Sequence, residues 1–95
     1  MRRPHRVDVN QKQITEELRQ FGATVQPISQ QGHGCPDLLV GYGGRNFLFE
    51  VKKSKAAKLT EDEFKWANEW MGQVDTVYTT EDAINILRGE PHAAS

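Results

Sequence analysis

Pro36-Asp37-Leu38-Leu39-Val40-Gly41-Tyr42-Gly43-Gly44-Arg45-Asn46-Phe47-Leu48-Phe49-Glu50-Val51-Lys52 is the stretch from which the rest of the chain is read. Two runs of β-branched, aromatic and leucine residues flank a Gly-Gly pair. That is the pattern of a β-hairpin closed by a two-residue turn, which needs positive φ at both central positions. With Gly43 and Gly44 as the turn, opposed residues have numbers that sum to 87. Tyr42 then faces Arg45, Val40 faces Phe47, Leu38 faces Phe49, and Asp37 faces Glu50. Side chains alternate along a strand, so Asp37, Leu39, Leu48, Glu50 and Lys52 share one face. Leu38, Val40, Phe47, Phe49 and Val51 share the other.

The first face carries the chemistry. Directly opposed residues place their Cβ atoms about 4.5–5.5 Å apart, where like charges repel. Two carboxylates at that spacing raise one another's pKa unless a cation lies between them. A hard divalent ion with oxygen ligands is the natural partner. Lys52 follows Glu50 on the same face, about 7 Å further along the strand. An ammonium there is suited to a phosphate oxygen or to the attacking nucleophile.

Outward from the hairpin, the first helix is expected over about Asn10 to Phe21. Asp8 or Asn10 would cap it, Ile14, Leu18 and Phe21 form its apolar stripe, and Gly22 stops it. Gln11 lies at its start, able to face whatever the helix packs on, and Glu17 flanks the stripe further along. Ala23 to Ile28 reads as a short strand, and Ser29 to Pro36 as a Gly-rich polar loop. Strands are expected over Asp37–Gly41 and Arg45–Lys52, followed by a basic loop from Lys53 to Leu59. Thr60 with Glu63 three residues on is a capping box that opens the second helix. Phe64, Trp66, Ala67, Trp70 and Met71 are expected to fill its buried side, with Gly72 at its end. Val74 to Tyr78 reads as a strand. Thr79 or Thr80 caps a last helix with Ala83, Ile84 and Leu87 inward. The order is α-β-β-β-α-β-α, an α/β fold. Residues 1–8 read as an N-terminal arm and 90–95 as a flexible tail.

The chain has 95 residues, which suits a single domain with a small core, one that a dimer interface would help. A charged fraction of 26% beside 37% hydrophobic residues argues against wholesale disorder. No apolar run is long enough to span a bilayer and the start lacks an apolar signal core, so the expected address is cytoplasmic with no membrane partner. The single Cys35 excludes an internal disulfide framework and a multi-cysteine zinc site. Net charge is −1, so a DNA-coating role is not indicated. Arg2, Arg3 and Arg6, and then Lys52, Lys53, Lys55 and Lys58, instead form local basic patches, as in a protein that touches phosphates at one face.

Pro36-Asp37, twelve residues, then Glu50-Val51-Lys52 resembles the PD-(D/E)XK nuclease motif. The longer strings Gly34-Cys35-Pro36-Asp37-Leu38-Leu39-Val40-Gly41 and Phe49-Glu50-Val51-Lys52-Lys53 resemble small, stand-alone, phage-type VRR-NUC domains. Archaeal-type Holliday junction resolvases are similar in plan. The likeness runs from about Asn10 to Leu87, with the motif on the expected hairpin. It implies a restriction-endonuclease-like core, a four-stranded mixed sheet flanked by helices. It implies Asp37, Glu50 and the Val51 carbonyl as ligands of Mg2+ or Mn2+, and Lys52 as the catalytic lysine. Relatives often carry a glutamate near the start of the first helix. The matching position here is Gln11, with Glu17 as its rival.

The expectation is therefore a metal-dependent DNA endonuclease acting on branched or structured DNA, including four-way junctions, and working as a homodimer. Lys53, Lys55, Lys58 and, more weakly, His33 are the expected DNA contacts. Trp66 and Trp70 are expected in core or dimer packing. The alternative is a nucleic-acid-binding module that keeps the nuclease fold with weak or lost catalysis, and Gln11 is the residue that favours it.

Overall fold

A computed structural model describes residues 9–89. The expected arm, with Arg2, Arg3, Arg6 and the capping role of Asp8, and the expected tail lie outside the described residues. Helix α1 spans Val9–Phe21, followed by strands β1 (Thr24–Pro27), β2 (Leu38–Tyr42) and β3 (Arg45–Val51). Helix α2 spans Glu61–Glu69, strand β4 Asp75–Val77 and helix α3 Thr80–Leu87. The order matches the sequence reading, with one added 3-10 turn over Ser29–Gln31 in the Gly-rich loop.

The four strands form one mixed sheet in the order β1-β2-β3-β4. The first two pairings are antiparallel, and β3 with β4 is parallel. Every β2–β3 pair obeys the expected register, from Tyr42 opposite Arg45 to Leu38 opposite Phe49. The turn glycines carry φ of 59° and 77°, left-handed values that a residue with a Cβ adopts only at a cost.

Burial follows the alternation. Leu38, Val40, Phe47, Phe49 and Val51 are buried against Ile14 and Leu18 of α1 and Ala83 and Leu87 of α3. Capping boxes open both later helices, Thr60 with Glu63 and Thr79 with Asp82. Each one satisfies two backbone donors that the first helical turn leaves unpaired.

The opposite face of the sheet is less well covered. The expectation that α2 buries a full apolar side is corrected: no α2 residue is fully buried, Phe64 is 63% exposed, and Met71 beyond the helix is wholly exposed. Glu63, Trp66 and Ala67 are half-buried around a small cavity shared with Glu50 and Thr76. The helix also stops at Glu69, before Gly72, because Trp70 takes an extended backbone. The Trp70 ring stacks on Trp66 at 4.6 Å between centroids.

Candidate active site

The hairpin ladder begins at Leu38, so Asp37 lies just before β2 rather than in a regular pair with Glu50. That corrects the one-to-one opposition expected from the turn. The Asp37 N–H donates to the Phe49 carbonyl at 3.1 Å, although Phe49 is the register partner of Leu38. Two residues facing one is the pattern of a bulge, which re-aims a side chain. The Asp37 carboxylate then accepts the Val51 N–H at 2.8 Å. Its carboxyl also lies close enough to that of Glu50 for the two to shift one another's pKa. The two acids meet as the sequence implied, by a different backbone route.

Glu50 is only 5% exposed. Burial pushes its carboxyl up to about 9, with the charges of Asp37 and Glu63 adding to the rise. Asp37 is also raised by burial, against the lowering effect of the Val51 N–H. Burial and mutual proximity therefore raise both carboxyls, which titrate as a coupled pair. Lys52 is the nearest cation. Its Nζ lies 3.9 Å from Glu50 Oε2 and 2.7 Å from Glu63 Oε1. Burial disfavours the ammonium, but the Glu63 hydrogen bond and the surrounding carboxylates outweigh it and hold Lys52 above its ordinary value.

Asp37, Glu50, Val51, Lys52 and Gln11 line one open cavity of about 330 Å³. Gln11 reaches it from the first turn of α1 and is 5% exposed. Its placement depends on Asn10, whose side-chain amide donates to the carbonyls of Lys52 at 3.1 Å and Tyr78 at 3.2 Å. Asn10 was expected as a cap. It instead ties the start of α1 to the C-terminal ends of β3 and β4, a long-range role that local spacing does not reveal.

Glu17 does not line this cavity. It accepts hydrogen bonds from Thr80 Oγ1 at 2.5 Å and from Gln13 at 3.2 Å, and so joins α1 to the start of α3. The Thr80 hydroxyl lowers its pKa first, with Gln13 adding to the effect. His33 is exposed with φ of 56° and does not line the cavity. Lys53 is exposed, while Lys55 and Lys58 line a separate depression beside Phe64 and Tyr78. Cys35 lines the acid cavity, its thiol pushed up by burial and then by Asp37 and Glu50.

Glu63 is the residue that the sequence reading placed only in a helix cap. It caps α2 and also lines the acid cavity. Burial opposes its ionisation, but Lys52 outweighs that and holds the carboxyl below its usual range. The signal was present as a glutamate eleven residues after Lys52, but only the fold of the intervening loop shows that the two meet.

Among the described residues, no group of three or more His, Cys, Asp or Glu side chains is arranged to hold a metal ion. The residues lining the cavity include four that bear carboxyls, Asp37, Glu50, Asp62 and Glu63, with the amide-bearing Gln11 and the hydroxyl-bearing Ser29 and Thr60. Oxygen donors such as these suit a hard cation that keeps several waters, and a divalent charge would favour the ionised form of both Asp37 and Glu50. No helix among the described residues is long and apolar enough to cross a membrane. No family model, curated protein or solved structure matches the chain.

Proposed function

We propose that the protein is a metal-dependent DNA endonuclease of the PD-(D/E)XK type, with a restriction-endonuclease-like core resembling stand-alone VRR-NUC domains. The observation that carries the reading is one cavity lined by Asp37, whose carboxylate is fixed by the Val51 N–H at 2.8 Å, by buried Glu50, and by Lys52, whose ammonium lies 3.9 Å from Glu50 Oε2. A buried acid beside a second carboxyl in an open cavity is costly to a fold, and pKa values shifted in this way cluster at functional sites.

Asp37, Glu50 and the Val51 carbonyl would hold Mg2+ or Mn2+, with the Gln11 amide close by. Such an ion supplies Lewis acidity and charge neutralisation at a phosphodiester. Asp37 is preset for this, because the Val51 N–H fixes its carboxylate before any ligand arrives. Glu50 would hold the ion in its ionised form, its proton passing to solvent. Lys52 donates hydrogen bonds to a non-bridging phosphate oxygen or to the nucleophile, where negative charge grows in the transition state. Lys53, Lys55 and Lys58 leave directly from the end of β3 and would grip flanking phosphates outside the acid cavity.

Branched or structured DNA, including four-way junctions, is the proposed substrate, and a homodimer the proposed working form. A domain this small offers one site, whereas paired cuts need two related by a two-fold axis. The test is incubation with labelled single-stranded, duplex, flap and four-way DNA, with and without Mg2+ or Mn2+. Cleavage of branched forms that requires the ion supports the reading. Tight binding without cleavage under every condition replaces it with the second reading, a nucleic-acid-binding module. The neutral Gln11 amide in the cavity is the observation that favours that second reading.

A further inference from the structure

We infer that Glu63 is the positioning residue for Lys52, and that it makes the formation of α2 and the placement of the lysine a single event. The inference rests on the nuclease reading for its effect on catalysis, but the contact itself is independent of that reading.

One oxygen carries both functions. Glu63 Oε1 accepts the Thr60 N–H at 2.9 Å and the Lys52 ammonium at 2.7 Å. The Glu63 N–H is in turn accepted by Thr60 Oγ1 at 3.1 Å. The carboxylate is therefore locked by the capping box, and the lysine is locked by the carboxylate. A lysine has four rotatable side-chain bonds and loses much freedom when ordered, so an anchored counter-charge is what holds its ammonium in one place. Glu50 is the alternative anchor, but its oxygen is 3.9 Å away, too far for a hydrogen bond. The side chains of Lys52 and Glu63 are 17% and 20% exposed, so water competes weakly for the contact.

The loop before the site fixes the other side of the same helical turn. A Cβ on Gly34 would sit 2.1 Å from the Asp62 carbonyl oxygen and 2.9 Å from Glu63 N. Only glycine permits that approach, and two residues after Pro36-bound Cys35 the chain reaches Asp37. The segment leading to the metal-binding acid and the residue holding the lysine are thus packed on each other. A cap needs only an oxygen at Glu63, whereas Lys52 needs a charge, and the two requirements can be separated by substitution.

Glu63→Gln keeps an oxygen for the Thr60 N–H and removes the charge. The experiment compares wild type and E63Q by thermal unfolding, by Mg2+ titration calorimetry, by cleavage kinetics, and by 15N spectra selective for lysine ammonium groups, with the Lys52 signal assigned from K52R. The expected result is a near-unchanged unfolding midpoint and retained Mg2+ binding. The Lys52 ammonium signal should be sharp and ordered in wild type and lost or averaged in E63Q. The kcat should fall about 10- to 100-fold while KM changes less than about threefold. An unchanged Lys52 signal in E63Q overturns the inference, as does unchanged kcat in a protein that cleaves. Loss of Mg2+ binding in E63Q also overturns it, by making Glu63 a ligand. A wild type that cleaves no DNA defeats the nuclease reading, while the ammonium signal still decides the Glu63–Lys52 contact.

Discussion

The Asp37 carboxylate accepts the backbone N–H of Val51 at 2.8 Å, from just outside the ladder that joins β2 to β3. A side chain thereby takes a strand donor, and the acid is held where Glu50 must meet it. The raised carboxyls of Asp37 and Glu50 and the proposed demand for a divalent ion follow from that placement.

The first prediction concerns pH. Burial and the Asp37 charge raise the Glu50 carboxyl from 4.5 to about 9. Below about pH 4.5 both folded and unfolded chains hold the proton, and the contribution to stability is complete. Between there and pH 9 the folded chain keeps a proton that the unfolded chain has released, so stability falls as pH rises. The slope should approach about 1.4 kcal/mol per pH unit at most. Denaturant unfolding of divalent-free protein from pH 5 to 8 measures it, and Glu50→Gln should flatten the profile and gain stability at pH 8. A wild-type curve that rises over this range would contradict the assignment.

The second concerns Gly34. Its φ is +85°, and an added Cβ would overlap the Asp62 carbonyl. Gly34→Ala should cost about 1–3 kcal/mol through overpacking and the strained backbone. It should also reduce metal-dependent activity by displacing the first turn of α2 from Lys52. Unfolding midpoints and cleavage rates together check this, and a variant with wild-type values in both would show that the close approach has no consequence.

Gln11 and Glu17 make the third. Gln11 is buried in the acid cavity, while Glu17 is bonded to Thr80 away from it. Gln11→Ala should weaken metal-dependent cleavage, and Gln11→Glu should tighten Mg2+ binding measured by calorimetry, because it adds a carboxylate beside Asp37 and Glu50. Glu17→Ala should lower the unfolding midpoint slightly and leave cleavage intact. Loss of cleavage in Glu17→Ala alone would reverse the assignment.

The fourth concerns assembly. Trp70 is 47% exposed, and Phe64 and Met71 more so, on the side of the sheet that α2 leaves thinly covered. Sedimentation at low micromolar concentration should give about twice the monomer mass, as an apolar surface this close to a small sheet favours pairing. Trp70→Glu should return the protein to monomer without lowering its unfolding midpoint. A wild-type monomer that still makes paired, symmetric cuts in a junction would remove the dimer from the account.

The parts of this molecule legible in the sequence were those set by local rules. Gly43-Gly44 fixed the hairpin turn, alternation separated the Leu38–Phe49 face from the Glu50–Lys52 face, and the Thr60/Glu63 spacing placed the start of α2. What escaped depended on chain segments far apart in sequence. Asn10 looks like a cap, yet bonds the carbonyls of Lys52 and Tyr78. Glu63 looks like a cap and is one, but its oxygen also holds a lysine eleven residues earlier. The apolar residues of α2 look like a core stripe because periodicity reports amphipathicity, not what covers it. Asp37 was placed opposite Glu50 by an ideal ladder, whereas an extra backbone contact to Phe49 brings the carboxyls together.

The central claim, that Asp37 and Glu50 form a metal-dependent phosphodiesterase site, is tested most directly by a Mg2+ titration of strand cleavage. The substrate is a labelled four-way junction, cut by wild type and by Asp37→Asn. Asn keeps an oxygen for the Val51 N–H, so the fold should persist while the ligand charge is lost. The account predicts wild-type cleavage that rises with Mg2+ and vanishes with chelator. It predicts that folded Asp37→Asn loses at least about 100-fold in rate at every Mg2+ concentration, an effect of the size expected when a charge needed in the transition state is removed. Cleavage by the folded variant at the wild-type rate would contradict it.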